Sequence, residues 1–343
     1  MSSFNPNSCK GVRARTSKEG NRRMTQDGRI VGIDVSKAKV DGFIRSLRIG
    51  LSRPGTLEGQ EQMIAWLREN GVAAAVMEAS GGYERRWAKA LRAAGIAVRV
   101  VDPKRVRHFA KSAGRLAKND PIDAAMIAWF AETFPAAPSQ LDDPDREALD
   151  LLVTARAALV KLLTQVGNYG EHRQPRTVQK AHGAITKTVR AQLAKLEAAI
   201  TDAIAASETF AARAEIIESV PGLARQTAAG LIAWMPELGR VDGKVAAALV
   251  GAAPYDDDSG THKGERHIKG GRQEIRTLLY MATLGAATRH NPIVKAYYQR
   301  LRAKGKPAKV ALIACMRKLI VILNTMLARG QIWNPSPCPT AVV

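Results

Sequence analysis

Residues 29–54 read RIVGIDVSKAKVDGFIRSLRIGLSRP, and no other stretch narrows the fold as much. IVGIDV, KVDGFIR and LRIGLSR are each of strand length and rich in β-branched or apolar residues, with short polar breaks between them. A helical pattern follows at about 55–70, ending before Gly71. VAAAVMEA (72–79) reads as a buried strand, YERRWAKALRAAG as an amphipathic helix stopped by Gly95, and IAVRVVD (96–102) as another strand. Pro103 then opens a helix, and NDPIDAAMIAWFAETF (119–134) makes another with Pro121 in its first turn. Three adjacent strands followed by strand–helix alternation predict a mixed α/β sheet covered by helices.

The rest of the chain has a different texture. Residues 143–166 and 184–216 carry helical periodicity and much Ala and Leu, and the polar segment 167–183 reads as a loop between them. An antiparallel hairpin and a dimerising coiled coil both fit this pattern, so a homo-oligomer is expected. The organisation predicted is a basic arm (1–28), an α/β domain (29–140), a coiled-coil connector (143–216), a mainly helical carboxy-terminal domain (217–330) and a tail (331–343).

Charge bears on the partner. The net charge is +21, unevenly placed: residues 1–30 hold 7 Lys/Arg against 2 Asp/Glu, and residues 259–329 hold 15 against 2. Such local excess suits a polyanion, most simply nucleic acid. Cys9, Cys315 and Cys338 are scattered and lack metal-ligand spacing, which fits a reducing cytoplasm with no disulfide framework. The first 30 residues lack an apolar signal region, and no apolar run is expected to reach membrane-spanning length.

Within the α/β region the acids are the informative residues. Asp34 lies near the end of the first strand and Glu78 at the end of another. Ligand sites of open α/β sheets gather at such ends. Asp120 and Asp123, three apart at a helix start, share a face. Four carboxylates brought together repel unless a cation neutralises them, and hard ions such as Mg²⁺ or Mn²⁺ take oxygen ligands. Paired divalent ions serve phosphodiester chemistry, in keeping with the basic charge elsewhere. Two of the acids also have a structural reading, Asp120 as a helix cap or first-turn acid and Glu78 as an arginine partner, whereas Asp34 is the hardest to explain structurally. Asp102, before Pro103, suits a cap better than a ligand role.

Two motifs stand out in the carboxy-terminal region. IIESVPGLARQTAAGLIAWM (216–235) resembles a helix-hairpin-helix element, whose turn offers backbone N–H groups to phosphate. Further on, Ser259 sits in a Gly-rich stretch after Asp256, Asp257 and Asp258, with Lys263, Arg266, Lys269, Arg272 and Arg276 behind it. A surface turn with phosphate-binding cations and an activated hydroxyl nucleophile are both open readings. His262, His267 and His290 lack zinc-site spacing and read as phosphate contacts or surface residues, while Tyr297 and Tyr298 could stack on bases or attack DNA as nucleophiles, although paired tyrosines at helical spacing more often pack.

GIDVSK, VMEASGGY and AKNDPIDAAMIA are together similar to the amino-terminal motifs of the DEDD-type insertion-sequence transposases. The PGL, A-P…SG and following glycine-rich run resemble the carboxy-terminal domain of the same family, in the same order. The resemblance spans about residues 29–330, with Asn119 standing where the family often has Thr. It implies an RNase H-like (RuvC-like) fold and a divalent-metal site formed by Asp34, Glu78, Asp120 and Asp123. It also implies Ser259 as a nucleophile that becomes covalently joined to DNA, and a structured guide RNA from the same element. The function expected is a DNA recombinase that moves its own insertion sequence. The alternative is a Holliday-junction-type Mg²⁺ nuclease with water as nucleophile. Less favoured are a sugar-kinase-like nucleotide-binding protein and a non-catalytic nucleic-acid binder.

Overall fold

A computed structural model of the chain describes residues 28–114, 120–135, 143–171, 174–259 and 262–335. The basic arm expected at 1–28 and the end of the tail therefore lie outside the described residues, except for Gly28 and residues 331–335. The chain divides into two compact units between Asp142 and Asp143.

The first unit is built on a five-stranded sheet. Its strands are β1 (Arg29–Val35), β2 (Lys39–Ile44), β3 (Ile49–Pro54), β4 (Val72–Glu78) and β5 (Ala97–Val101), in the spatial order β3-β2-β1-β4-β5. β1 pairs antiparallel with β2 and β2 with β3, whereas β4 runs parallel to β1 and to β5. The two consecutive hairpins and the later crossovers match the expected succession of three strands and then strand–helix alternation. Four helices accompany the sheet: α1 (Leu57–Glu69), α2 (Tyr83–Ala93), α3 (Pro103–Ser112) and α4 (Asp120–Thr133).

Alternation along the central strand sorts the core into two layers. Val31, Ile33 and Val35 face one way and pack with Met63 and Leu67 of α1 and Trp87 and Leu91 of α2. Ile30 faces the other way and packs with Val76, Val106 of α3, and Ile127 and Phe130 of α4. Each fully buried side chain of this size contributes about 1.5–3 kcal/mol of transfer free energy. Local signals set the helix starts. Thr56 Oγ1 accepts the Gly59 N–H at 3.1 Å to open α1, and Asp102 accepts the Lys104 N–H at 2.9 Å to open α3. Asp102 is thus a cap.

The second unit is helical: α5 (Pro144–Gly170), α6 (Arg176–Ala206), α7 (Glu208–Glu218), α8 (Arg225–Trp234), α9 (Gly243–Val250), α10 (Gln273–Gly285), α11 (Pro292–Ala303) and α12 (Ala308–Arg329). A π-helical turn, Ala286–His290, joins α10 to α11. α6 begins eight residues before the pattern predicted, because its first turns are exposed and polar and carry no apolar stripe. It also stops earlier, at the extended residue Ser207 (φ −110°, ψ 114°), so that α7 is a separate helix. The feet of the long hairpin, Leu149 and Val153 of α5 and Ile200 and Ile204 of α6, are buried in the core that serves the rest of this unit.

α12 is the spine of that core. Leu312, Cys315, Met316, Leu319, Ile320 and Leu323 are buried at helical spacing. Burial pushes the Cys315 thiol up to about 11, against a smaller downward pull from Lys318. By length and composition α12 also passes for a membrane span, which departs from the expectation that no stretch would. Half of its most apolar window is buried inside the protein, as befits a core helix.

Candidate active site

Gly32, in the middle of β1, fixes how α4 lies on the sheet. A Cβ there would stand 2.2 Å from the Ala124 carbonyl oxygen and 2.3 Å from the Ala128 nitrogen, so the α4 backbone rests directly on the strand. Asp34 is two residues further along β1 and therefore emerges on the same face, at the carboxyl end of the strand. Asp123 immediately precedes Ala124, and Asp120 opens the same helix one turn earlier. Both Asp34 and Asp123 are partly buried.

Glu78 joins Asp34 through strand register. β1 and β4 are parallel with Ile33 beside Met77, so the following residues, Asp34 and Glu78, leave the sheet side by side. Ala74 and Val76 belong to the α4-side core, which puts Glu78 on that side as well. The structure thus brings Asp34, Glu78 and Asp123 to one end of one sheet face, with Asp120 at the start of the covering helix.

Two further acids escaped the sequence reading. Asp41 of β2 lies directly opposite Asp34 in the antiparallel register, so three carboxylates form a row across β2, β1 and β4. Asp41 is only 7% exposed, and Lys39 holds it at 3.1 Å. The signal was available: KVDGFI places Lys39 and Asp41 two apart on one strand face, but only hairpin register shows which residue they meet. Glu84 is the other. It is buried, and its Oε2 accepts the N–H groups of Ser80 and Gly82 at 2.9 Å each, shaping the loop that follows Glu78. In that loop Gly81 and Gly82 have φ of 69° and 101°, values that favour glycine.

An all-oxygen set of this kind suits a hard divalent cation, which takes few carboxylates and completes its shell with water and phosphate. Among the described residues no group of three or more His, Cys, Asp or Glu is placed to hold a metal ion as the chain stands.

Ser259 belongs to the second unit and sits on a narrow β-arm. At the arm's base β6 (Pro254–Tyr255) pairs with β9 (His267–Ile268), and nearer its tip β7 (Asp258–Ser259) pairs with β8 (His262–Lys263). Ser259 is exposed and faces His262 in the register. The arm is rooted by glycines. A Cβ on Gly271 (φ 74°) would lie 2.2 Å from the Gly251 nitrogen, so the base is packed backbone to backbone against the end of α9.

The cations behind Ser259 have mixed fates. Arg266 pairs with Asp256 across the arm at 2.6 Å, both largely exposed. Arg272 makes two hydrogen bonds to Glu237, at 2.5 and 2.9 Å, and one to the Trp234 carbonyl at 2.7 Å. Burial pushes the Glu237 carboxyl up, but the hydrogen bonds and charge of Arg272 outweigh it and hold the group below the usual carboxylate value. Arg276 donates to the Gly270 carbonyl at 2.6 Å. Lys269 is exposed, and Lys263 is on β8. The P-G-L turn is packed inside the unit. Gly222 has φ 96°, a Cβ there would meet Ala286 at 2.9 Å, and Leu223 is buried. Tyr297 and Tyr298 are partly buried against the same core.

Comparison with known proteins adds to this geometry. Residues 31–171 match the model of the DEDD IS110 transposase family, and residues 214–299 that of the transposase IS116/IS110/IS902 family. The chain is 24% identical to the pilin gene-inverting proteins of Moraxella lacunata and Moraxella bovis, over 88% of this chain and 96% of theirs. It is 34% identical to an insertion element IS116 protein of Streptomyces clavuligerus, over 38% of this chain and 33% of that one. The two matched segments together exceed half of the 343 residues, in the order of the sequence motifs, and the chain belongs to the DEDD-type IS110/IS116 insertion-sequence transposases, enzymes that recombine DNA.

Proposed function

We propose that this transposase cuts and rejoins the ends of its own insertion sequence through a covalent serine–DNA intermediate, with an RNase H-like first unit supplying a divalent-metal site. The observation that carries the reading is the row of carboxylates at the end of β1 and β4 beneath α4. The relatives named for inverting a pilin gene favour recombination over simple hydrolysis.

Asp34, Glu78, Asp120 and Asp123 are the residues that would hold Mg²⁺ or Mn²⁺, which supplies Lewis-acid stabilisation of charge developing on the phosphate. Asp41 ends the row on β2, paired with Lys39, and Glu84 orders the loop beside Glu78. Ser259 Oγ attacks the phosphorus, an Oγ–P bond forms, and a bridging P–O bond breaks. The serine proton passes to solvent or a nearby base, and the departing DNA oxygen takes one up as a hydroxyl. Reversal of this step onto a different DNA hydroxyl rejoins the strands with no net loss of phosphodiester bonds. Short β7 and β8 strands suit a nucleophile carried on an arm, and Lys263, Arg266, Lys269 and Arg276, which follow it in the sequence, would bind the non-bridging oxygens. A guide RNA from the same element is part of the proposal on family resemblance, and a dimer or larger homo-oligomer accords with the long α5–α6 hairpin. Recombination by RNase-treated protein at an undiminished rate would remove the RNA component.

The reading is tested with element-end DNA and purified protein. Ser259→Ala is expected to bind DNA and divalent ion normally and yield no protein–DNA adduct. Strand cleavage that persists in this variant, with water as the nucleophile, would favour a junction-type nuclease instead.

A further inference from the structure

A further run of uncompensated charge lies beyond Ser259 in the sequence. Glu274 is the last acidic residue of the chain, and beyond it come eleven Lys/Arg with no Asp or Glu. Most of these cations fall on α11, α12 and the turn between them, where Arg300, Lys304, Lys306, Lys309 and Lys318 are all exposed. No ion pair among the described residues reaches any of them.

The fold holds these charges close rather than letting them spread. Arg300 lies 5.1 Å and Lys318 4.7 Å from the centroid of the Tyr297 ring, so two like charges from two helices converge on one aromatic side chain. The turn itself is fixed. Gly305 takes φ 77°, and the Arg302 guanidinium donates to the Lys306 carbonyl at 2.5 Å. Positive charges gathered on a rigid elbow without acids repel one another, and a bound polyanion relieves that repulsion.

We propose that the α11–α12 elbow is the principal clamp on the phosphate backbone of duplex DNA, ahead of the cation run at 263–276. In that run Arg266 and Arg272 are tied to acids and Arg276 to a backbone carbonyl. On the elbow only Arg302 is tied in this way, and among the described residues Arg300, Lys304, Lys306, Lys309 and Lys318 have no ion pair to an acid. The occupant is duplex and not single-stranded, because stacking on unpaired bases needs a free aromatic face and Arg300 and Lys318 cover that of Tyr297. The proposal rests on the reading of this chain as a DNA recombinase and adds the surface by which it grips the duplex.

The test is binding of a fluorescein-labelled random-sequence DNA duplex by the full chain, measured by anisotropy across a salt series. The slope of log affinity against log salt falls by roughly 0.9 for each phosphate that the protein no longer neutralises. The triple variant Lys304→Gln/Lys306→Gln/Lys309→Gln is expected to flatten the slope by about 2.7, and Arg300→Gln/Lys318→Gln by about 1.8. Lys263→Gln/Lys269→Gln is expected to flatten it by less than either. Unchanged melting curves establish that the variants fold, as expected for exposed positions. A larger loss from the Lys263/Lys269 pair than from the elbow variants would overturn the proposal and leave the recombinase reading standing. So would elbow variants that weaken a duplex RNA hairpin more than the DNA, since the surface would then serve RNA. Wild-type protein with no salt-dependent affinity for DNA would overturn both.

Discussion

The acids of the first unit and the serine of the second are held in opposite ways. Asp34, Glu78 and Asp123 are fixed by a buried central strand, its parallel neighbour and a helix seated on Gly32, so their positions follow from the main chain of the most deeply packed elements. Ser259 stands exposed on a two-residue strand, supported by one cross-strand neighbour and a salt bridge between largely exposed side chains. A metal site needs donors preorganised to within a fraction of an ångström, because repulsion between carboxylates would otherwise scatter them. A nucleophile that must meet a DNA phosphate has to be exposed, and Ser259 is. On the proposed reading, the chain places rigidity where charge would be concentrated and exposure where a bond would be made.

The largest effect expected from breaking the rigid side is on chemistry. Asp34→Asn or Asp123→Asn should lower strand cleavage by about a thousandfold or more while the circular-dichroism spectrum stays that of the wild type. Full activity in both variants would remove the metal assignment. Gly32→Ala attacks the same site through packing. Its new methyl group meets the α4 main chain, which has no flexible end to yield, so a loss of about 1–3 kcal/mol in urea unfolding and a parallel loss of cleavage are expected.

On the other side the Arg272–Glu237 pair anchors the root of the arm. Glu237→Gln should cost about 1–3 kcal/mol at neutral pH, because Arg272 keeps its charge without its main partner. The sign with pH follows from the depressed carboxyl. Its folded value lies below the ordinary 4.5, so the pair stabilises the protein above that pH and the contribution is lost as pH falls through the lower, folded value. Melting curves of wild type and Glu237→Gln should therefore converge in acid. The smallest effect is expected at Asp256→Asn, which breaks only the exposed pairing with Arg266. Stability should change by less than about 1 kcal/mol, and the change should shrink in high salt.

How far each region was legible follows from the same contrast. All five strands of the sheet were readable, because β1, β4 and β5 are apolar runs of strand length and β2 and β3 follow β1 in close succession with short polar breaks between them. Asp34 and Glu78 drew notice because a carboxylate at the end of such a strand is costly without a purpose. Asp41 did not, because its meaning lies in a cross-strand register that no single segment displays. Glu84 was hidden likewise, since it acts on the main chain of the preceding loop. In the second unit the start of α6 was missed because its first turns carry no apolar stripe, and polar residues read equally well as loop. The β-arm read as a flexible stretch, because strands of two residues leave no periodicity. The density of cations near Ser259 also gave no sign that Arg272 is committed to Glu237, a partner 35 positions away in sequence.

The central claim is that Ser259, and not water or a tyrosine, makes the bond to DNA. The most direct measurement is peptide mapping by mass spectrometry of the protein–DNA species that survives denaturation, after the wild-type protein has reacted with element-end DNA and divalent ion. The account predicts a nucleotide remnant on Ser259, absent from the Ser259→Ala and Asp34→Asn proteins. A remnant on Tyr297 or Tyr298, or efficient cleavage with no adduct at all, would contradict it.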